Sequence, residues 1–217
     1  MTVLDFTHPL SAGIPLFPGT PCPELAPLAS MEMQQFRETR LAITSHTGTH
    51  MDAPAHLLPQ GRTLDRYPLS AFVGPALAVD CTQAEAGGVI SLEQLKQAPL
   101  TGQADFILLR TGWDRYWPDP DRYERGFPYL EPRAAQWLAS LGLKGVGIDT
   151  LSVDPVESAS LPAHRALLDS GLVILENLTG LASAGAEPFT LCALPLSFSG
   201  ADGAPVRAVG LLGCQLP

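Results

Sequence analysis

The chain has 217 residues, 46% of them hydrophobic and 16% charged, a composition too apolar for a disordered protein and sized for one domain spanning residues 1–217. Its formal net charge of −9 argues against a phosphate-gathering surface, so no nucleic-acid partner is expected, and an anionic substrate would need local positive charge such as bound cations. The N-terminus has neither a basic region nor a continuous apolar stretch, and no segment is long enough to cross a bilayer, which implies a cytoplasmic protein without a membrane partner.

Twenty-one prolines and twenty glycines predict short elements joined by ordered turns. In chain order, Ile14–Pro23 carries too many prolines for a helix and reads as a loop draped over the fold. From His46 to His56, Thr47, Gly48, Thr49 and Pro54 disfavour helix and suggest an extended path. The side chains at 46, 50, 52 and 56 would then leave one side, with Gly48 and Pro54 making room for a ligand near the backbone. Branched apolar runs at Ala76–Asp80, Phe106–Arg110, Gly145–Asp149 and Leu172–Glu176 read as buried strands.

Between them lie helices over Ser91–Ala98, capped by Ser91 with Gln94 three residues on, over Glu131–Leu141, opened by Pro132, and over Pro162–Ser170, closed by Gly171. The alternation predicts a mixed α/β domain. The aromatic stretch Trp113–Tyr129 is packing, lid or interface. Phe189–Leu194 and Val206–Leu212 pair as a hairpin around the turn Gly200–Pro205. The four cysteines, Cys22, Cys81, Cys192 and Cys214, have no metal or redox spacing and read as reduced, buried thiols.

Three of the five histidines, His46, His50 and His56, fall within eleven residues around Asp52. Imidazole and carboxylate are ligands for zinc and similar divalent ions, and cysteine-poor clusters of this kind suit catalytic rather than structural sites. A solvated histidine-rich loop is the bland alternative. His164 stands in the first turn of its helix, where the positive end of the dipole would keep the imidazole neutral; alone it would read as a surface residue. Glu176 closes an apolar strand, where an unpaired carboxylate would be costly and a cation would resolve it. His8 reads as structural or surface.

His46-Thr-Gly-Thr-His-Met-Asp-Ala-Pro-Ala-His56 matches H-x-G-T-H-x-D-x-P-x-H, and with Phe17-Pro-Gly, Gly145–Pro155, Leu161–Arg165, Leu175–Leu178 and Pro205–Ala208 the chain resembles the cyclase-type metal hydrolases, the family that includes bacterial kynurenine formamidase. The resemblance implies a swivelling β/β/α fold and two divalent metal ions, zinc first and manganese second. His46, His50, Asp52 and Glu176 would hold one ion; Asp52, His164 and Glu176 would hold the other; His56 would be the catalytic acid/base. It further implies hydrolysis of a small aromatic amide in tryptophan catabolism, and a homodimer or higher homo-oligomer. Where the formamidases carry Trp before Pro-Gly this chain has Phe17, a substrate-binding candidate that keeps an aromatic face and lacks the indole donor. The alternatives are cyclic-amide hydrolysis, as of isatin, and a non-catalytic metal-binding protein.

Overall fold

The computed structural model describes residues 1–98, 100 and 104–213; Cys214 lies outside them. In chain order the strands are β1 (Thr2–Asp5), β2 (Glu24–Ala29), β3 (Glu38–Ala42), β4 (His50–Asp52), β5 (Val73–Asp80) and β6 (Val89–Ile90), then α1 (Leu92–Gln97) and β7 (Phe106–Arg110). They continue with α2 (Pro120–Tyr123), β8 (Tyr129–Leu130), α3 (Pro132–Ala139), β9 (Gly145–Ile148), α4 (Pro162–Asp169), β10 (Val173–Glu176), β11 (Phe189–Pro195) and β12 (Gly203–Leu212).

Strands β5, β7, β9 and β10 pair in parallel. Parallel neighbours need crossover connections, and α1, α3 and α4 lie within those connections. The antiparallel pair β11–β12 adds to the free edge of β5, and β4 pairs with both β10 and β12. The pairing order therefore closes on itself through β4, and β1 continues along β12 beyond it.

Because side chains alternate along a strand, closure separates two cores. Phe106, Leu108, Leu175 and Leu191 fill the barrel with Phe6, Met51 and Phe72. Ile107, Leu109, Val146, Ile148 and Ile174 face outward against Leu95 of α1, Leu138 of α3 and Leu167 of α4. Fully burying one such leucine stabilises the fold by about 1.5–3 kcal/mol. The helices form because their apolar positions follow the helical repeat and their ends are marked: Ser91 Oγ accepts from Gln94 N at 3.2 Å, and Pro132 and Pro162 open α3 and α4.

The four predicted strands and three predicted helices are present, Phe106–Arg110 with the expected bounds and the others trimmed or extended by one to three residues, and the terminal hairpin forms in antiparallel register. The extended path expected over His46–His56 is corrected: only His50–Asp52 is strand, His46–Thr49 is a turn, and Pro54–His56 is a short 3-10 turn. Gly48 adopts φ +65°, and a Cβ there would stand 2.7 Å from Leu10 Cδ2, so glycine serves the turn and its packing rather than ligand access. Trp113, Tyr123 and Phe127 pack with Leu151 as a third core. Among the cysteines, Cys81 is buried, Cys192 half-buried and Cys22 exposed, against the expectation of uniform burial. His8 is buried, its ring stacked 3.8 Å from that of Trp117.

Candidate metal centre

In the β10–β4 register, Ile174 lies opposite Asp52, Leu175 opposite Met51 and Glu176 opposite His50. Alternation sends His50, Asp52 and Glu176 out on one face, while Met51 and Leu175 enter the barrel core. His46 arrives from the preceding turn and lies against Gly203 of β12. A Cβ on Gly203 would come 2.4 Å from His46 Cε1, so the ring needs a bare backbone there. His164 comes from the third residue of α4, and His56 from the 3-10 turn after β4.

All six charged or imidazole candidates thus converge. Ligand atoms of His46, His50 and Asp52 lie within 4.8 Å of one another, as do those of Asp52, His164 and Glu176. His50, Asp52, His164 and Glu176 are buried; His46 and His56 are half-buried. These groups line a cavity of about 500 Å³ that also includes Phe17, Thr20, Thr44 and Leu151. The loop carrying Phe17 is tied down by Leu16 N, which donates to Glu124 Oε1 at 2.8 Å.

The hydrogen bonds set the tautomers. A carbonyl only accepts, so the 2.8 Å contact of His50 Nδ1 with Gly48 O places the proton on Nδ1. His164 Nδ1 faces Asp154 Oδ2 at 2.8 Å, and the same carboxylate accepts from Ala163 N and His164 N at 3.0 and 2.9 Å. Each Nε2 is thereby turned towards carboxylates. His50 Nε2 is 3.3 Å from Asp52 Oδ1 and 3.6 Å from Glu176 Oε2; His164 Nε2 is 3.2 Å from Glu176 Oε1 and 3.6 Å from Asp52 Oδ2. Asp52 Oδ2 is buried and has no hydrogen-bond partner among the described residues. Imidazole lone pairs and carboxylates converging on one point, with a buried oxygen left over, are the donor set that a divalent cation satisfies.

Burial opposes the His46 imidazolium, but Asp52 at 2.7 Å and Asp202 at 3.0 Å outweigh it and push the pKa up to about 9. Burial likewise opposes protonation of His164, and Asp154, Asp52 and Glu176 overcome it, holding the ring well above the ordinary range. Burial would raise Asp52, but its contacts with His164, His46 and His50 hold it well below the usual carboxylate range. Cations entering this cluster would displace the imidazolium protons. His56 differs, since burial lowers its pKa and leaves the ring neutral at pH 7.

Sequence reasoning missed Asp154 and Asp202, which contact His164 and His46. Both stand in ordinary turn contexts, Asp-Pro and Asp-Gly, and Asp202 meets its histidine across 156 residues, so no local pattern marks either one.

A family model described as a putative cyclase matches residues 4–155. The kynurenine formamidase of Paracidovorax citrulli is 37% identical over 216 residues, covering 94% of each chain. Among solved structures, isatin hydrolase A from Labrenzia aggregata superposes with a TM-score of 0.86 at 25% identity, covering 96% of this chain and 93% of that one. A predicted metal-dependent hydrolase from Bacillus stearothermophilus superposes with a TM-score of 0.80 at 28% identity, covering 96% and 97%.

Proposed function

The chain belongs to the putative cyclase family, and on that footing we propose that it is a metal-dependent amide hydrolase, cleaving an aryl formamide such as N-formylkynurenine to formate and an aromatic amine. The observation that carries the reading is the convergence of His50 Nε2 and His164 Nε2 on the buried carboxylates Asp52 and Glu176, all four in the lining of a cavity that Phe17 helps to form.

Two divalent ions, zinc first and manganese as the alternative, would be held by His46, His50, Asp52 and Glu176 on one side and by Asp52, His164 and Glu176 on the other. When bound, such ions lower the pKa of a water towards about 7 and polarise a carbonyl oxygen. The protein's own part in the reaction is proton traffic and placement. His56, neutral at pH 7 and on the cavity wall, accepts a proton as water oxygen adds to the formyl carbon. It returns that proton to the aniline nitrogen as the C–N bond breaks, so formate and the amine leave with the base regenerated. Phe17 offers an aromatic face to the substrate ring.

A second reading, ring opening of a cyclic amide such as isatin, is favoured by the cavity lining. Thr20, Thr44 and Ser152 contribute hydroxyls, and none of the described lining residues is a Lys or Arg that would meet an amino-acid carboxylate. Metal-stripped protein is expected to be inactive and to recover with zinc or manganese; full turnover after rigorous metal removal overturns the proposal. Specificity constants for N-formylkynurenine and isatin, measured side by side, decide between the substrates, and cleavage of neither removes both.

A homodimer or larger assembly belongs to the same reading. The β2–β3 hairpin exposes Leu25, Leu28, Met31, Met33, Phe36 and Leu41, an apolar surface that a second copy would cover. No helix among the described residues is long and apolar enough to cross a membrane, and a cytoplasmic location is proposed with the rest.

A further inference from the structure

Behind His50 stands a residue that the proposed chemistry does not use. The Gly48 carbonyl that accepts His50 Nδ1–H also accepts Asn177 Nδ2–H, at 3.0 Å. Gly48 has no side chain to anchor its turn, so the direction of its carbonyl depends on what binds to it. Asn177 grips the same turn a second time, its own carbonyl accepting from Thr49 Oγ1 at 2.6 Å. It faces the turn with both groups from a left-handed backbone, φ +56°, a region that Asn enters more readily than most residues.

The amide is oriented without ambiguity. The Gly48 carbonyl needs a donor, which is Nδ2, and Oδ1 accepts from the Tyr123 hydroxyl at 3.0 Å. Tyr123 is fully buried at the end of α2, and its carbonyl accepts from Trp113 Nε1 at 3.0 Å. A chain of hydrogen bonds thus runs from the aromatic core through Tyr123, Asn177 and the Gly48 carbonyl to the far side of the His50 ring. A backbone strained out of the common regions and kept by surrounding contacts is a mark of functional sites.

We propose that Asn177 is a positioning residue: through the Gly48 carbonyl it fixes the ring plane of His50 and the proton on Nδ1, so that Nε2 is presented to the metal centre, and Tyr123 holds Asn177 in that pose. The inference rests on reading His50 as a metal ligand. Partners of this kind typically govern metal affinity by 10–100-fold.

The test is zinc affinity, measured on metal-stripped protein by competition with a chromophoric chelator, with unfolding of the metal-free protein followed in parallel. Asn177→Gly keeps the left-handed backbone accessible and removes the amide; it is expected to bind zinc about 10–100-fold more weakly. Tyr123→Phe keeps the ring and removes one donor, and is expected to weaken zinc binding by a smaller factor; it carries the test should the glycine variant not fold. A purely structural role would lower the unfolding midpoint and leave the zinc affinity of the folded variants at the unsubstituted value, and that result overturns the proposal. Failure of the unsubstituted protein to bind zinc or manganese overturns instead the metal reading on which it rests.

Discussion

His46 and His56 have ring centroids only 4.1 Å apart, yet their surroundings push them in opposite directions. His46 is clamped between Asp52 and Asp202, and its pKa rises to about 9 despite burial. His56 has only a 3.9 Å approach to Asp202 through Nδ1, and burial lowers its pKa. Neighbouring titratable groups driven apart in this way divide the labour of a site: one is held in place by carboxylates, the other is left unprotonated and able to accept a proton. His56→Ala should therefore reduce turnover by about 10²–10⁴-fold while leaving zinc content close to that of the unsubstituted protein. Parallel kinetics and metal analysis decide this, and unchanged turnover removes His56 from the proton path.

At the scale of elements, α4 joins stability to the site. Its N-cap, Leu161, is left-handed and provides no side-chain cap, so the first amides of the helix need another acceptor. Asp154 supplies it, taking Ala163 N and His164 N while its Oδ2 also meets His164 Nδ1. One carboxylate thus starts the helix and aims its histidine. Asp154→Asn, which keeps only one acceptor atom, should destabilise the fold by about 1–2 kcal/mol, as lost caps do, and weaken zinc binding by about 10–100-fold. Denaturant unfolding and chelator competition measure the two effects, and a stability loss with unaltered zinc affinity refutes the second role. Much of this layer was legible beforehand. The branched runs, Pro132, Pro162 and the Ser91 cap each act within a few residues, and the motif from His46 to His56 carried the family resemblance. Asp202 and Asn177 were not assigned roles, because each meets its partner only where barrel closure brings distant segments together, and Asp154 was not because its contacts with Ala163 and His164 form across the irregular connection between β9 and α4. The short strands β2 and β3 were missed for another reason: Glu24, Pro27, Glu38 and Arg40 break the apolar alternation by which a half-buried strand is recognised.

The whole molecule raises the question of what stabilises the β2–β3 hairpin. Every residue of β3 is exposed, as are most of β2, and Leu28 and Met33 are 61% and 80% accessible. Its ion pair of Arg40 with Glu24 is itself exposed and worth little, and a two-stranded hairpin by itself is marginally stable in water. A second copy covering this surface would supply the missing apolar contact. The hairpin is also continuous with the cavity: residues Phe17, Gly19, Thr20 and Pro21 line it, and β2 begins three residues later at Glu24. Order imposed on the hairpin by a partner would then extend to the cavity wall. Sedimentation at micromolar concentration is expected to give a dimer or larger species. The paired substitution Leu28→Glu with Phe36→Glu should shift the protein towards monomer with its circular dichroism retained, and specific activity should fall on dilution through the dissociation range. A monomeric unsubstituted protein with concentration-independent activity would show instead that the hairpin stands alone and that the cavity wall owes nothing to assembly.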